Sequence, residues 1–158
     1  MNKLLVALLL LVTLVGCAGY VPGRQSYWDA QVKEMCEKDG GVQIIEKLRI
    51  TKLDVNLLGG GADGKIDIMI KELAHPRAPV YAVIKETIIR EVNPSVWRSE
   101  SEIVRRVDQV IVARWVAYSR SGGDFPTGLA HDSRFTCPDL KKITSDMQQL
   151  FIVEGDSK

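Results

Sequence analysis

An apolar run near the N-terminus constrains this chain more than any other feature, because it decides which residues are left to fold into a domain. The run Leu4–Leu14 follows the positively charged Lys3 and closes with Gly16 and Cys17. A short positive start, an apolar stretch and small residues before a cysteine are typical of a secretory signal ending in a bacterial lipobox. The run is shorter than the roughly 20 residues of a membrane-spanning helix. We therefore expect cleavage before Cys17 and attachment of diacylglycerol to its thiol.

Removal of residues 1–16 as a signal peptide would leave 142 residues, an ordinary size for one domain. The expected organisation is a lipidated tether at residues 17–25 and a single domain at residues 26–155. Once Lys3 is removed, 20 basic residues stand against 20 acidic ones. This balance argues against a nucleic-acid partner and against a polybasic contact with anionic lipid. Attachment to the bilayer would then depend on the acyl chains of Cys17.

The residue that follows Cys17 is Ala18 rather than an aspartate. This resembles lipoproteins that are sent on to the outer membrane of diderm bacteria. We therefore expect a lipid-anchored protein at the outer membrane that faces the periplasm. The tether is short, so it would hold the domain close to the bilayer.

Two cysteines remain after lipidation, Cys36 and Cys137, which lie 101 positions apart. The expected compartment is oxidising, and an even number of cysteines is what disulfide bonding requires. The alternatives are a pair of metal ligands, which lacks nearby histidines, and a catalytic thiol, which lacks a base in its sequence context. We predict a disulfide.

Helical periodicity is clearest at the two ends of the domain. Ser26 precedes apolar residues at helical spacing up to Lys38, and Asp39-Gly40-Gly41 ends the pattern. Near the C-terminus, Cys137-Pro138-Asp139 precedes an apolar stripe over Leu140–Phe151, and we place the proline in the first turn of that helix. The disulfide would then join the end of the first helix to the start of the last.

Between these helices the apolar pattern has a period of two, which predicts strands. The candidate strands are Val42–Ile50, Leu53–Leu57, Ile66–Leu73 (where a helix also fits), Val80–Val92 and Ile103–Arg120, with a turn at Asn93-Pro94-Ser95. The order helix, strands, helix predicts an α+β domain. We expect an antiparallel sheet flanked by an N-terminal and a C-terminal helix that the disulfide joins.

Two segments resemble catalytic or binding signatures but lack features that those signatures require. The stretch Gly59–Lys65 resembles two phosphate-binding loops, but Ile66 replaces the required Ser or Thr and no helix is expected to follow. The same stretch lacks carboxylates at the ligand positions of a calcium loop. His131-Asp132-Ser133 contains the residue types of a serine hydrolase, but three consecutive residues cannot converge on one another. We predict no catalytic residue, no metal site and no cofactor.

Arginine recurs through the longest β-rich stretch, next to acidic residues. The members are Arg98, Arg105, Arg106, Arg114 and Arg120. The simpler interpretation is a set of cross-strand ion pairs on a solvated sheet face. The functional interpretation is a site for a carboxylate-bearing or phosphate-bearing partner from the envelope, because a guanidinium group offers a bidentate fork.

Two segments carry a resemblance to known proteins, MCEKDGG at Met35–Gly41 and YSRSGGDFPTGLAHDSRFTCP at Tyr118–Pro138. Together with the overall layout, they resemble a group of small proteobacterial lipoproteins of uncharacterised activity. The resemblance implies that Cys36 and Cys137 are paired, and it implies nothing catalytic.

These observations predict a non-enzymatic accessory or binding subunit of the cell envelope. Its candidate contact residues are Arg120, Asp124 and Phe125, in a glycine-rich loop, and an envelope protein is a possible partner besides the bilayer. The alternative is a small hydrolase that acts on an envelope polymer through sheet carboxylates such as Glu86, Glu100 and Glu102. A third interpretation, which composition does not separate from the first, is a purely structural or surface-exposed lipoprotein of phage or mobile-element origin.

Overall fold

Three antiparallel strands of 11 residues each form the centre of the fold. The computed structural model describes residues 24–60, 65–124 and 132–154. Cys17 and the signal peptide lie outside these residues. In chain order the described elements are α1 Arg24–Asp39, β1 Gly41–Ile44, β2 Leu48–Ile50, α2 Lys52–Leu57, β3 Val80–Arg90, β4 Ser95–Arg105, β5 Ile111–Ser121, β6 Arg134–Cys137, α3 Leu140–Gln148 and β7 Phe151–Val153.

The main sheet has five strands and is antiparallel throughout. Its strand order is β1-β5-β4-β3, and β6 also pairs with β5. β1 pairs with the first half of β5, from Ala113 to Val116, and β6 pairs with the second half, from Tyr118 to Ser121. A separate small sheet joins β2 and β7 in parallel. The predicted α+β class with an antiparallel sheet is therefore confirmed.

Two hydrophobic clusters use alternate residues of β5, as the pleat of a strand requires. The larger cluster contains Ala113 and Ala117 of β5 together with Ile143 and Met147 of α3. The smaller cluster contains Val116 and Tyr118 of β5 together with Val32 and Cys36 of α1. Each terminal helix therefore packs on its own cluster. Within the described residues, no helix is long and apolar enough to cross a membrane.

The predicted disulfide between Cys36 and Cys137 is confirmed, with the two Cα atoms 5.8 Å apart. Its position in the fold differs from the prediction, because Cys137 is the last residue of β6 and not part of the last helix. Asp139 caps α3 by accepting a hydrogen bond from the Lys141 amide, so Pro138 lies before the cap rather than in the first turn. The bond therefore joins α1 to β6.

The segment 42–57 was predicted as extended, and this was wrong in two places. After Ile44 the chain leaves the main sheet, and it resumes as β2 in the small sheet. Residues 52–57 then form α2, because the Thr51 hydroxyl accepts from the Asp54 amide and the Asp54 carboxylate accepts from the Thr51 amide. Such a capping box satisfies two free amides and starts a helix despite alternating apolar residues.

Two further strand predictions need correction. Ile103–Arg120 is not one strand but the end of β4, a turn and most of β5, and Gln109 adopts a positive φ of 61° in the turn. Residues 66–73 form no strand, and only Ile70 makes a bridge, to Ala82 of β3. The predicted turn at Asn93-Pro94-Ser95 does separate β3 from β4, with Ser95 as the first residue of β4.

β3 is an edge strand of the main sheet. Beyond the bridge at Ala82, no strand in the described part of the chain pairs with its outer edge. From Val83 onwards it exposes large apolar side chains on both faces, namely Val83, Ile84, Ile88 and Ile89.

Candidate functional site

Arg120 lies inside the fold at the base of the predicted interaction loop. Only 1% of its surface is exposed, and its Nε donates to Oδ1 of Asp29 in α1 over 2.8 Å. Its Nη1 donates to the carbonyl oxygens of Gly122 and Ser133 and to the Ser133 hydroxyl. Arg120 is therefore not a surface contact residue. It is a positioning residue, which ties α1 to both ends of the loop.

Asp124 holds the loop from a second point. Its Oδ2 accepts a hydrogen bond from the Ser133 amide over 2.6 Å, and this bond lowers the pKa of the Asp124 carboxyl group. Gly123, in a left-handed conformation with a φ of 84°, donates its amide to Oδ1 of Asn93 over 2.6 Å. Gln25 of α1 donates to the Ser133 hydroxyl. The third predicted contact residue, Phe125, lies outside the described residues, as does His131.

A groove of about 530 Å³ opens beside this loop. Its walls include Ser95, the first residue of β4, and Arg134, the first residue of β6, which both pair with Ser121 at the end of β5. The Arg134 guanidinium lies 5.4 Å from the centre of the Trp97 ring, at the distance of a cation–π contact. The groove thus shares its supporting strand ends with the loop.

The sheet carboxylates named for a hydrolase do not converge. Directly opposite residues of paired strands share a face. Glu86 is opposite Ser99, whereas Glu100 is opposite Lys85 and Glu102 is opposite Val83, so Glu86 faces away from the other two. Glu86 instead lines the groove, together with Glu91, Arg90 and Arg134.

Glu100 belongs to an ionised network on the other face of the sheet. Arg98 donates to Glu100 over 2.5 Å and to Asp39 over 3.2 Å, and the bond from Arg98 lowers the pKa of Glu100. Burial and a hydrogen bond to Asp39 raise the pKa of Tyr118. A carboxyl group with a lowered pKa is a poor general acid at neutral pH. This network stabilises the contact between the end of α1 and the sheet.

The five arginines of the β-rich stretch have different surroundings. Arg98, Arg105 and Arg120 have carboxylate partners. Arg106 donates to backbone carbonyl oxygens, and the buried Nε of Arg114 has no hydrogen-bond partner among the described residues. Arg105 and Arg106 line one pocket together. Three of the five therefore form ion pairs, but among the described residues none of these pairs is cross-strand. The partner carboxylates lie in α1, in connecting segments or on the same strand, so the predicted cross-strand pairing on a solvated sheet face was wrong.

The residues that build the loop site were not found from the sequence alone. Asp29 and Asn93 act on the loop from positions far away along the chain, and Ser133 closes the other end of the loop. Trp97, which follows Val96 and precedes Arg98, gave no periodic signal as a groove residue. Over residues 24–60, 65–124 and 132–154, no three His, Cys, Asp or Glu residues group in a way that could hold a metal ion.

Comparison with known proteins adds no relative. No family profile, no curated protein and no solved structure matches this chain. The fold and the site are therefore interpreted from their own geometry.

Proposed function

We propose that this chain is a lipid-anchored protein of the outer membrane that faces the periplasm and acts as a non-enzymatic accessory or binding subunit of the cell envelope. Acyl chains on Cys17 hold it to the bilayer, and a short tether leads to the folded domain. In this proposal the terminal helices flank the main sheet, and the surface that binds a partner is the loop after β5 with the groove beside it.

The rigid support of the loop is the observation that carries this proposal. A buried arginine, a carboxylate and an asparagine fix the two ends of the loop, at Gly122–Asp124 and at Ser133. Rigid scaffolds that position an irregular loop are common at binding sites. The adjacent groove adds an aromatic ring and a cation, Trp97 and Arg134, which are residue types enriched at protein interfaces.

The position of the tether also supports this surface. α1 begins at Arg24, and Gln25 contacts Ser133 at the end of the loop. The tether therefore enters the domain at the same end as the loop and groove. A short tether would hold that end near the bilayer, which suits a partner that is itself in or at the membrane.

The anchor is tested by Cys17→Ser in a bacterial host. We expect loss of acyl labelling and accumulation of the precursor, because the thiol is the atom that takes the diacylglycerol. The measurement is metabolic labelling with a fatty-acid analogue and a gel shift of the precursor. A Cys36→Ser variant should retain the label, and normal labelling of Cys17→Ser would refute the lipobox.

The binding surface is tested by photo-crosslinking in cells with the full lipidated chain. A crosslinking amino acid at the exposed Asp132, next to the loop, should capture one dominant envelope protein, whereas the same amino acid at the exposed Lys141 of α3 should not. Trp97→Ala should reduce the adduct from position 132. Equal capture from both positions, or no reduction by Trp97→Ala, would contradict a partner at this surface.

The hydrolase alternative keeps one supporting observation. Glu86 and Glu91 line the same groove as Arg90 and Arg134, so two carboxylates are present in one concave site. Both glutamates are exposed to solvent, and a catalytic acid usually needs a carboxyl group that is shielded from it. If position 132 captures no partner above background, polymer hydrolysis by this pair becomes the next hypothesis to test.

A further inference from the structure

A second pocket, of about 320 Å³, is lined by four arginines at the other end of the sheet. They come from separate parts of the chain: Arg49 is in β2, Arg77 precedes β3, Arg105 ends β4 and Arg106 begins the following turn. The rest of the lining is apolar, and comprises Leu48, Ile50, Ala78, Pro79 and Val107. None of the nine lining residues is acidic.

Two of these arginines are held in place by the fold. Arg106 donates from Nε to the Ala78 carbonyl oxygen over 2.9 Å, and its guanidinium lies 5.0 Å from the centre of the Tyr81 ring. Arg105 donates to Asp108 and to Glu46. Arg105 therefore has two carboxylate partners, whereas Arg106 contacts only uncharged groups among the described residues and keeps its full positive charge.

The other two arginines have no side-chain partner within the described residues. Arg49 is an exposed residue of β2, and Arg77 uses only its backbone amide, which donates to Nδ1 of His75. The four guanidinium groups carry four positive charges, and the two carboxylates that contact them, Glu46 and Asp108, are both on Arg105. The four arginines and their two carboxylate partners therefore have a net charge of +2, and the remaining lining residues are apolar.

We propose that this pocket binds a phosphate monoester. A phosphate monoester carries up to two negative charges near neutral pH, which matches the residual charge, and arginine forks bind phosphate oxygens in pairs. A carboxylate would leave one charge uncompensated. The apolar lining residues would contact the carbon part of the ligand, and the volume is at the lower end for small-molecule sites.

The pocket lies far from the proposed partner surface. Arg105 and Arg106 are at the turn before β5, whereas the loop and the tether are at the end of β5, 11 residues later. A strand of this length spans about 35 Å. The phosphate site would therefore point away from the membrane that holds the protein, and it does not depend on the proposed partner.

The test is calorimetric titration of the full mature protein in detergent with inorganic phosphate and with glycerol phosphate, against sodium chloride of equal ionic strength. The Arg49→Gln/Arg77→Gln variant should bind both phosphates at least about tenfold more weakly, because each charge-assisted hydrogen bond contributes about 1.5–3 kcal/mol. The Lys33→Gln/Lys141→Gln variant removes the same charge from exposed positions elsewhere and should bind as the wild type does. Circular dichroism checks that both variants are folded.

A second arm separates a soluble ligand from a lipid headgroup. The lipidated protein is inserted into phosphatidylcholine vesicles, which are mixed with vesicles that do or do not contain phosphatidic acid. Capture of the phosphatidic acid vesicles indicates a headgroup, and binding of glycerol phosphate without capture indicates a soluble phosphate compound. Binding of phosphate no tighter than chloride, or equal binding by the Arg49→Gln/Arg77→Gln variant, would overturn the proposal.

Discussion

Replacing Cys36 and Cys137 together with alanine is expected to lower the free energy of unfolding by about 2–5 kcal/mol. The bond joins residues 101 positions apart, so its removal frees a loop that contains most of the domain. The loss of loop-closure entropy in the unfolded chain grows with loop length, and the chain-entropy value for a loop of about 100 residues is about 4.7 kcal/mol. The lost free energy is a large part of the total stability of a domain of this size.

Urea denaturation, followed by tryptophan fluorescence, measures this loss. The reduced wild-type protein is the matched control, because it lacks the bond but retains both sulfur atoms. The alanine variant and the reduced wild type should unfold at similar urea concentrations, both well below the oxidised protein. Equal midpoints for the oxidised and the reduced wild type would show that the bond does not stabilise the domain.

Arg120→Met is expected to destabilise the domain by about 3 kcal/mol, at the lower end of the range for breaking a buried ion pair. Arg120 is fully buried while Asp29 keeps about a third of its side chain in contact with water, so part of the Asp29 charge stays solvated. The variant also leaves the carbonyl oxygens of Gly122 and Ser133 without their guanidinium donor. The Ser133 carbonyl oxygen still accepts from the Gly122 amide, whereas the Gly122 carbonyl oxygen must find water or remain unsatisfied.

A double-mutant cycle with Asp29→Asn separates the pair from the rest of the network. We expect Asp29→Asn to cost less than Arg120→Met, because the loop contacts of the guanidinium group remain. The double variant should be more stable than the sum of the two single losses implies. Strict additivity would mean that the Arg120–Asp29 contact contributes nothing, and that the loop contacts account for the whole effect.

The elements with strong and uninterrupted patterns could be predicted from the sequence. α1 has helical spacing and a double-glycine stop, and β3 is rich in β-branched residues before the Asn93-Pro94-Ser95 turn. The pairing of the two cysteines followed from their number and expected compartment. The helix and strand signals are local, the cysteine count needs no local pattern, and the structure agrees with all three.

The segment 42–57 could not be predicted in the same way, because its alternation of apolar residues fits either a strand or a short helix. Which part of the segment becomes a strand depends on its pairing partners. β1 pairs with β5, whereas β2 pairs with β7, which lies more than 100 residues after β2 in the chain. The capping pair Thr51 and Asp54 was the one local sign of α2.

The loop site depended on contacts that no local pattern contains. Arg120 was expected at the surface because arginines rarely lie fully buried. Its burial requires Asp29, which is 91 residues earlier in the chain and comes close only because α1 packs on β5. The pocket of four arginines likewise draws on Arg49 and Arg77, which no sequence pattern connects to Arg105 and Arg106.

The unpaired outer edge of β3 bears on how readily the folded protein aggregates. Unpaired backbone groups and exposed Ile84 and Ile88 form a template on which strands from other molecules could stack. Lys85 and Glu86 interrupt this apolar stretch at its centre. In a stack of identical strands in register, each of these charges would lie beside its own copy, about 4.8 Å away. Like charges at that spacing repel one another, so these two residues act as gatekeepers against fibril growth.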